Sequence, residues 1–241
     1  MKKINKQIFG KTISIIAFLA ILASCFCSCS ISPSTIEDLY ITKDSIYIEE
    51  TLSHGFAEYK VVSDNYNGTG NVLLVRADSF IAKMNVGSYF SNYENSVIDE
   101  YLNGEFLNSI VLNDKIEETD IEITDESSIG VSGLENKTIS RKVFLLSASE
   151  LGLTIDKDSK DVLPEEGVQL EYFANDKNIF PGWTRTPNTL YQTQTWLIDS
   201  KNNLTAVDST QKEDFRPAFC VSCSQKIAKR EDGKYVFLEK D

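Results

Sequence analysis

Histidine is nearly missing from this chain of 241 residues, with His54 the sole example. Acid–base and metal chemistry at neutral pH leans on imidazole, so its scarcity argues against most catalytic centres. A serine–histidine–aspartate triad would have to use His54, which sits beside Gly55, and no nucleophile-elbow motif occurs anywhere. Cysteine is also sparse: Cys25, Cys27 and Cys29 lie near the start, Cys220 and Cys223 near the end. The Cys220-x-x-Cys223 spacing has no second pair to complete a zinc site. It falls in a strand-like run, where residues three apart face opposite ways, so the two are read as small buried hydrophobes. Basic side chains are in deficit, 24 Lys and Arg against 36 Asp and Glu, which excludes nucleic acid or anionic headgroups as partners of a broad basic face. Repeats, heptads and low-complexity tracts are absent as well. With 41% hydrophobic and 25% charged residues, what remains is an ordinary globular composition, long enough for one sizeable core.

The amino terminus departs from this composition. Lys2, Lys3, Lys6 and Lys11 precede an uncharged apolar run over residues 12–22. The run ends in Leu22-Ala23-Ser24-Cys25, which resembles a bacterial lipoprotein signal, where small residues precede a cysteine that receives a diacylglycerol. An ordinary secretory signal or a membrane anchor is the alternative, but the run is shorter than the roughly 20 residues a span needs. Cleavage before Cys29 would place Phe26 at the third upstream position, a poorer fit than Leu22. The resemblance implies a signal over residues 1–24, lipidation at Cys25, a tether over 25–40 and one globular domain over 41–241. It also implies a lipid anchor on the extracytoplasmic face of a bacterial cell membrane. Without residues 1–24 the chain has 20 basic and 36 acidic side chains, a net charge of about −16. Membrane contact is therefore expected through the lipid rather than the protein surface.

Further along, residues 44–50 alternate with Ile46 and Ile48 on one face, and 56–62 and 71–76 read as two more strands. The Asn/Gly-rich stretch 64–70 between them is a hairpin loop by its chemistry. Ile98, Leu102 and Phe106 are spaced as one helical stripe, with Ser96 and Asp99 in a capping-box relation and Gly104 expected to interrupt the helix. Residues 117–126 read as an exposed strand, 141–146 as a buried one, and 147–150 as a helix cap and first turn. Strands are expected over 193–198, 204–208, 216–221 and 234–238. Asp156, Asp158 and Asp161 suggest calcium, but Lys157 and Lys160 intrude and Asp161 stands where an EF-hand loop needs glycine. A solvated turn is the reading, with no metal and no other cofactor.

Four peptides then come in a fixed order. They are Asn95-Ser96 leading into Tyr101-Leu102-Asn103-Gly104, then Phe144-Leu145-Leu146-Ser147, then Trp183-Thr184-Arg185-Thr186-Pro187, then Phe215-Arg216-Pro217-Ala218. Together they resemble the bacterial domain-of-unknown-function family 6273, with Thr184 in place of a leucine and Asp214-Phe215 in place of glycine-valine. The family looks like a relative of C-type-lectin-like and sulfatase-modifying-factor folds. That implies a compact α+β domain, a twisted and mostly antiparallel sheet with short helices, which agrees with the strand pattern. Trp183, Arg185, Pro187, Arg216 and Pro217 carry the signature. An arginine in an aromatic, strand-like segment must be partnered or reach the surface, and the matching settings of Arg185 and Arg216 suggest one packing device.

The functional expectation is a lipid-anchored binding module for a surface glycan, peptide or envelope protein, independent of metal. Tyr66, Tyr191 and Trp196 are the candidate ligand contacts, being aromatics in expected loops. A structural lipoprotein of an envelope complex is the second reading. An enzyme related to sulfatase-modifying factors is the third; no catalytic residue can be named, and Cys220 and Cys223 do not match the cysteine pair that reaction needs.

Overall fold

The computed structural model describes residues 34–85, 91–129, 133–155, 160–175 and 180–238. Cys25, Asp156 and Asp158 lie outside them. The chain enters through α1 (Ile36–Thr42), opened by a capping box between Thr35 and Asp38. Ile36 and Leu39 on this helix are buried, so the tether expected to run to residue 40 gives way to the core earlier. An apolar spacing of three here builds a helical face, which the polar residues around it obscured in the sequence.

There follow β1 (Ser45–Glu50), β2 (Gly55–Ser63), β3 (Asn71–Arg76) and β4 (Phe80–Lys83). Next comes α2 (Val97–Tyr101), where Ser96 accepts a hydrogen bond from the Asp99 amide at 3.1 Å. Gly104 does not interrupt it: the chain runs on through a π turn, Leu102–Phe106, into α3 (Leu107–Ser109). Ile98, Leu102 and Phe106 are all fully buried, and this stripe outweighs the modest cost of one helical glycine. Short strands then alternate with loops: β5 (Ile116–Glu117), β6 (Thr119–Thr124), β7 (Asn136–Arg141) and β8 (Val143–Phe144). After α4 (Glu171–Asn175) come β9 (Gly182–Pro187), β10 (Gln194–Ile198), β11 (Leu204–Asp208), β12 (Lys212–Phe215), β13 (Ala218–Ser222), β14 (Ile227–Lys229) and β15 (Tyr235–Phe237).

The main sheet runs in the order β14, β15, β1, β2, β3, β13, β5, with β8 also on β13. Only its β1–β15 contact is parallel among the described strands. β3 and β13 are interior strands buried on both faces, Val72 to Val75 against Ala218 to Val221. Three small antiparallel groups surround it: β11-β10-β9, β12-β4 and β6-β7. The protein is thus a mixed α+β domain, mostly antiparallel with few short helices.

Candidate functional site

Arg185 is positioned by a bulge. Thr195 pairs with Pro187 and Leu197 with Trp183, so three residues of β9 stand opposite one of β10. The hydroxyl of Thr184 ties down the extra backbone by donating to the Trp196 carbonyl at 2.7 Å. A bulge re-aims side chains, and here it drives Arg185 inward until its side chain is wholly buried. Every one of its five N–H groups is used. Nε donates to the Glu122 carbonyl (2.9 Å), Nη1 to the Leu145 carbonyl (2.8 Å) and Glu150 Oε2 (2.7 Å), and Nη2 to Glu150 Oε1 (3.0 Å) and the Glu166 carbonyl (2.8 Å). Burial opposes the guanidinium charge, but the Glu150 carboxylate outweighs it and holds the Arg185 pKa above its usual value.

Glu150 is buried with it. Its carboxylate also accepts from the Ser147 amide (2.9 Å) and from the Tyr66 hydroxyl. The Ser147 hydroxyl in turn accepts from the Glu150 amide at 3.1 Å, so the cap expected over residues 147–150 exists, but it closes turns rather than opening a helix. Burial and the neighbouring Glu150 charge push the Tyr66 pKa well up. Glu166 is a second buried acid, accepting from the Thr124 amide and hydroxyl (2.7 Å each) and the Thr186 hydroxyl (2.6 Å). Burial raises its pKa, and Arg185, Thr186 and Thr124 pull it back only in part. Together these groups seal the outer edge of β6. Its Asp120 carbonyl is met by Asn67 (3.4 Å), its Glu122 carbonyl by Arg185 and its Thr124 amide by Glu166. An open strand edge would otherwise leave a row of unpaired backbone groups.

Above this network lies an open cleft of about 820 Å³. One wall is the loop Asn65, Asn67, Gly68 and Thr69, another the outward face of β6 and β7 with Asp120, Glu122 and Thr138, and the third Gly167 to Glu171. Glu150 and Arg185 form part of its floor. The side chains it offers a ligand are amides, hydroxyls, the carboxylates of Asp120, Glu122 and Glu171, and the exposed Val168. The single cation in the lining, Arg185, has no donor to spare. Such a cleft repels anions and suits uncharged polar or cationic groups. No group of three His, Cys, Asp or Glu side chains is gathered for a metal ion among the described residues.

The structure separates the residues singled out in the sequence. Tyr66, expected on a loop surface, is buried at 1% exposure and stacks on Phe144 with ring centroids 5.7 Å apart. Trp196 is 7% exposed on β10, its Nε1 without an acceptor among the described residues. Neither ring presents a face to a ligand, because both strands and turn fold their large apolar surface into the interior. Tyr191 is 60% exposed but lies outside the cleft lining. Trp183 is core, donating from Nε1 to the Ala82 carbonyl at 3.1 Å, and Pro187 and Pro217 are buried beside their arginines. Arg216 does not share the device of Arg185. It is only half-buried, and donates to the Ala77 carbonyl (3.1 Å) and the Pro181 carbonyl. It stacks over Phe180 at 5.3 Å and has no carboxylate within 4 Å among the described residues. Burial lowers its pKa.

Two arrangements escaped the sequence reading. Arg76 ends the apolar strand β3 and binds the buried Glu50 through Nε (3.1 Å) and Nη2 (3.2 Å), with Tyr59 donating to the same carboxylate. This repeats the Tyr66–Glu150–Arg185 arrangement, and an arginine closing an apolar run was its one sequence signal. Asn103 clamps two segments, donating to the Val143 carbonyl (2.9 Å) and accepting from the Lys142 and Val143 amides (3.2 and 3.1 Å).

Of the four peptides, those at 144–147 and 183–187 meet beneath the cleft, where Leu145 and Ser147 join the Arg185–Glu150 network. No curated protein and no solved structure matches the chain. A family model does, from the start of β3 to the end of the β13 segment, while β1, β2, β14 and β15 lie outside the match in the same sheet. With its model matching residues 69–223, the chain belongs to the family described as a domain of unknown function, DUF6273.

Proposed function

We propose that the protein is a lipid-anchored binding module on the extracytoplasmic face of a bacterial membrane. Its cleft takes an uncharged or cationic polar ligand, a glycan or a peptide of an envelope partner, without metal or catalysis. The observation that carries this reading is the cleft itself: amides, hydroxyls and carboxylates, with the exposed Val168 among them, line an open space of about 820 Å³ over a floor whose arginine is fully bonded. Ligand sites are preformed concavities in which a few convergent polar groups fix the ligand's orientation, and this cleft is rich in such groups. Metal independence is supported by Asp161, whose carboxylate accepts from the Thr189 hydroxyl (2.6 Å) and the Val162 amide (2.9 Å). A lectin-like arrangement belongs to the same proposal, supported by the mostly antiparallel sheet with short helices.

One observation favours the second reading, an assembly lipoprotein in an envelope complex. Val162, Leu190 and Tyr191 are 58%, 50% and 60% exposed, and the hydroxyl of Thr189 binds the Val162 carbonyl at 3.0 Å, which brings the three near one another. Exposed apolar groups that cluster mark interaction surfaces, protein contacts among them. The test is capture by the detergent-solubilised full chain on glycan and peptide arrays, with and without EDTA. Asp120→Ala, Glu122→Ala and Thr138→Ala are expected to weaken capture with melting unchanged. Loss of capture on Tyr191→Ala alone would move the site to the apolar group, and loss in EDTA restored by calcium would overturn metal independence.

A further inference from the structure

The domain's net charge is about −16, yet it is unevenly spread. Residues 225–238, which hold β14 and β15, carry Lys226, Lys229, Arg230 and Lys234 against Glu231 and Asp232, a net of about +2, leaving about −18 on the rest. All four cations are exposed. Among the described residues no carboxylate lies within 4 Å of Lys226, Lys229 or Lys234, and Arg230 meets Asp232 only at 3.8 Å on the surface. Three of the four are instead held over aromatic rings: Arg230 over Phe56 at 4.7 Å, Lys234 over Tyr47 at 4.7 Å and Lys229 over Tyr235 at 5.0 Å. Phe56 keeps 43% of its surface open to solvent.

The same hairpin receives the start of the domain. The Ile227 amide donates to the Ser34 carbonyl at 3.0 Å, the Ile36 amide to the Gln225 carbonyl at 2.9 Å, and Thr35 bridges to Lys226. The chain therefore leaves the domain at the edge of β14. Eight residues lie between Cys25 and Ser34, and the nine steps from one to the other, at about 3.3–3.6 Å each, reach no further than about 32 Å.

We propose that this hairpin is a docking face for anionic lipid headgroups, which lays the β14–β15 end of the domain on the membrane. The proposal rests on the lipid anchor at Cys25. With the anchor supplying retention, the hairpin needs only weak attraction, because a short tether holds it at millimolar effective concentration near the surface. Exposed cations beside aromatic rings fit the headgroup layer, where basic side chains are drawn to anionic lipid and amphipathic rings settle. The acidic remainder of the domain is repelled by the same surface, which adds to the orientation. Membrane contact is then made by protein as well as lipid.

The test is an amine-labelling footprint of the lipidated full chain in vesicles of phosphatidylcholine alone and with added phosphatidylglycerol. Lys201, on the turn between β10 and β11, serves as the internal reference. Labelling of Lys226, Lys229 and Lys234 is expected to fall several-fold in the anionic vesicles relative to Lys201, and to recover in high salt, which screens the attraction. Arg230→Glu, which leaves every lysine reporter in place, should also restore labelling of Lys229 and Lys234. Equal labelling in both vesicle types overturns the docking face. The mass of the purified chain reports diacylglycerol on Cys25 separately, so a lipidated chain with an unprotected hairpin refutes docking alone, and a chain without lipid refutes the anchor and the reach drawn from it.

Discussion

Replacing Arg185 by methionine keeps most of the side-chain length and removes the charge. Its fully buried partner Glu150 then retains only the Tyr66 hydroxyl and the Ser147 amide, and the carbonyls of Glu122, Leu145 and Glu166 lose a donor. Removing one partner of a buried ion pair costs about 3–5 kcal/mol, with the orphaned carbonyls adding to it. In a domain of this size each kcal/mol moves the melting temperature by about 2–4 °C, so Arg185→Met is expected to melt about 6–20 °C lower. The whole stability of a domain is about 5–15 kcal/mol, and the variant is therefore expected at the edge of folding. Thermal denaturation followed by circular dichroism reads the change. The double variant Arg185→Met/Glu150→Met removes both charges and should recover part of the loss, since the penalty lies in the orphaned carboxylate. Near-wild-type melting of Arg185→Met would refute this account of the network.

Arg216→Met should cost only about 1 kcal/mol by the same assay, because its partners are two carbonyls at a half-exposed position and no buried carboxylate is orphaned. Glu166 has a folded pKa raised above the ordinary carboxylate value, so its contribution to stability is full below that value and is lost as pH rises through the raised one. Glu166→Gln should therefore gain stability relative to wild type on going from acid to neutral pH, read as urea midpoints; a constant difference would contradict a buried, ionising Glu166. Cys220 is buried, and burial pushes its thiol up to about 12, so a thiol reagent at pH 8 should modify Cys223 first and Cys220 only after denaturation, as read by peptide mass mapping. Gly182 has φ +136°, and a Cβ there would sit 2.6 Å from the Asp214 carbonyl oxygen, so Gly182→Ala should lower melting markedly.

The elements with a clean period were legible. The strand pattern at residues 44–50 and the helical stripe of Ile98, Leu102 and Phe106 appear almost where alternation and fourfold spacing put them. Turn chemistry located the loop at 64–70, but it carries no information on depth, and Tyr66 within it proved to be core. The buried arginine was legible as a problem, since a charge in an apolar strand needs a partner. Its partner was not, because Glu150 lies 35 residues away and the bulge that turns Arg185 toward it leaves no local mark. Arg76 and Glu50 were missed for the same reason: they meet across the sheet, 26 residues apart. The cleft was the least readable feature. Its walls come from three separated segments whose exposed Asn, Asp, Glu, Thr and Gln side chains look like ordinary surface until the fold gathers them.

The central claim is that the cleft over the Arg185–Glu150 network does the binding. It is tested most directly by the binding isotherm, in EDTA, of whichever arrayed ligand the full chain captures, measured for wild type and for Asp120→Ala/Glu122→Ala/Thr138→Ala. The account predicts at least a tenfold weaker affinity for the triple variant with an unchanged melting temperature; an unchanged isotherm would place binding elsewhere on the molecule and contradict it.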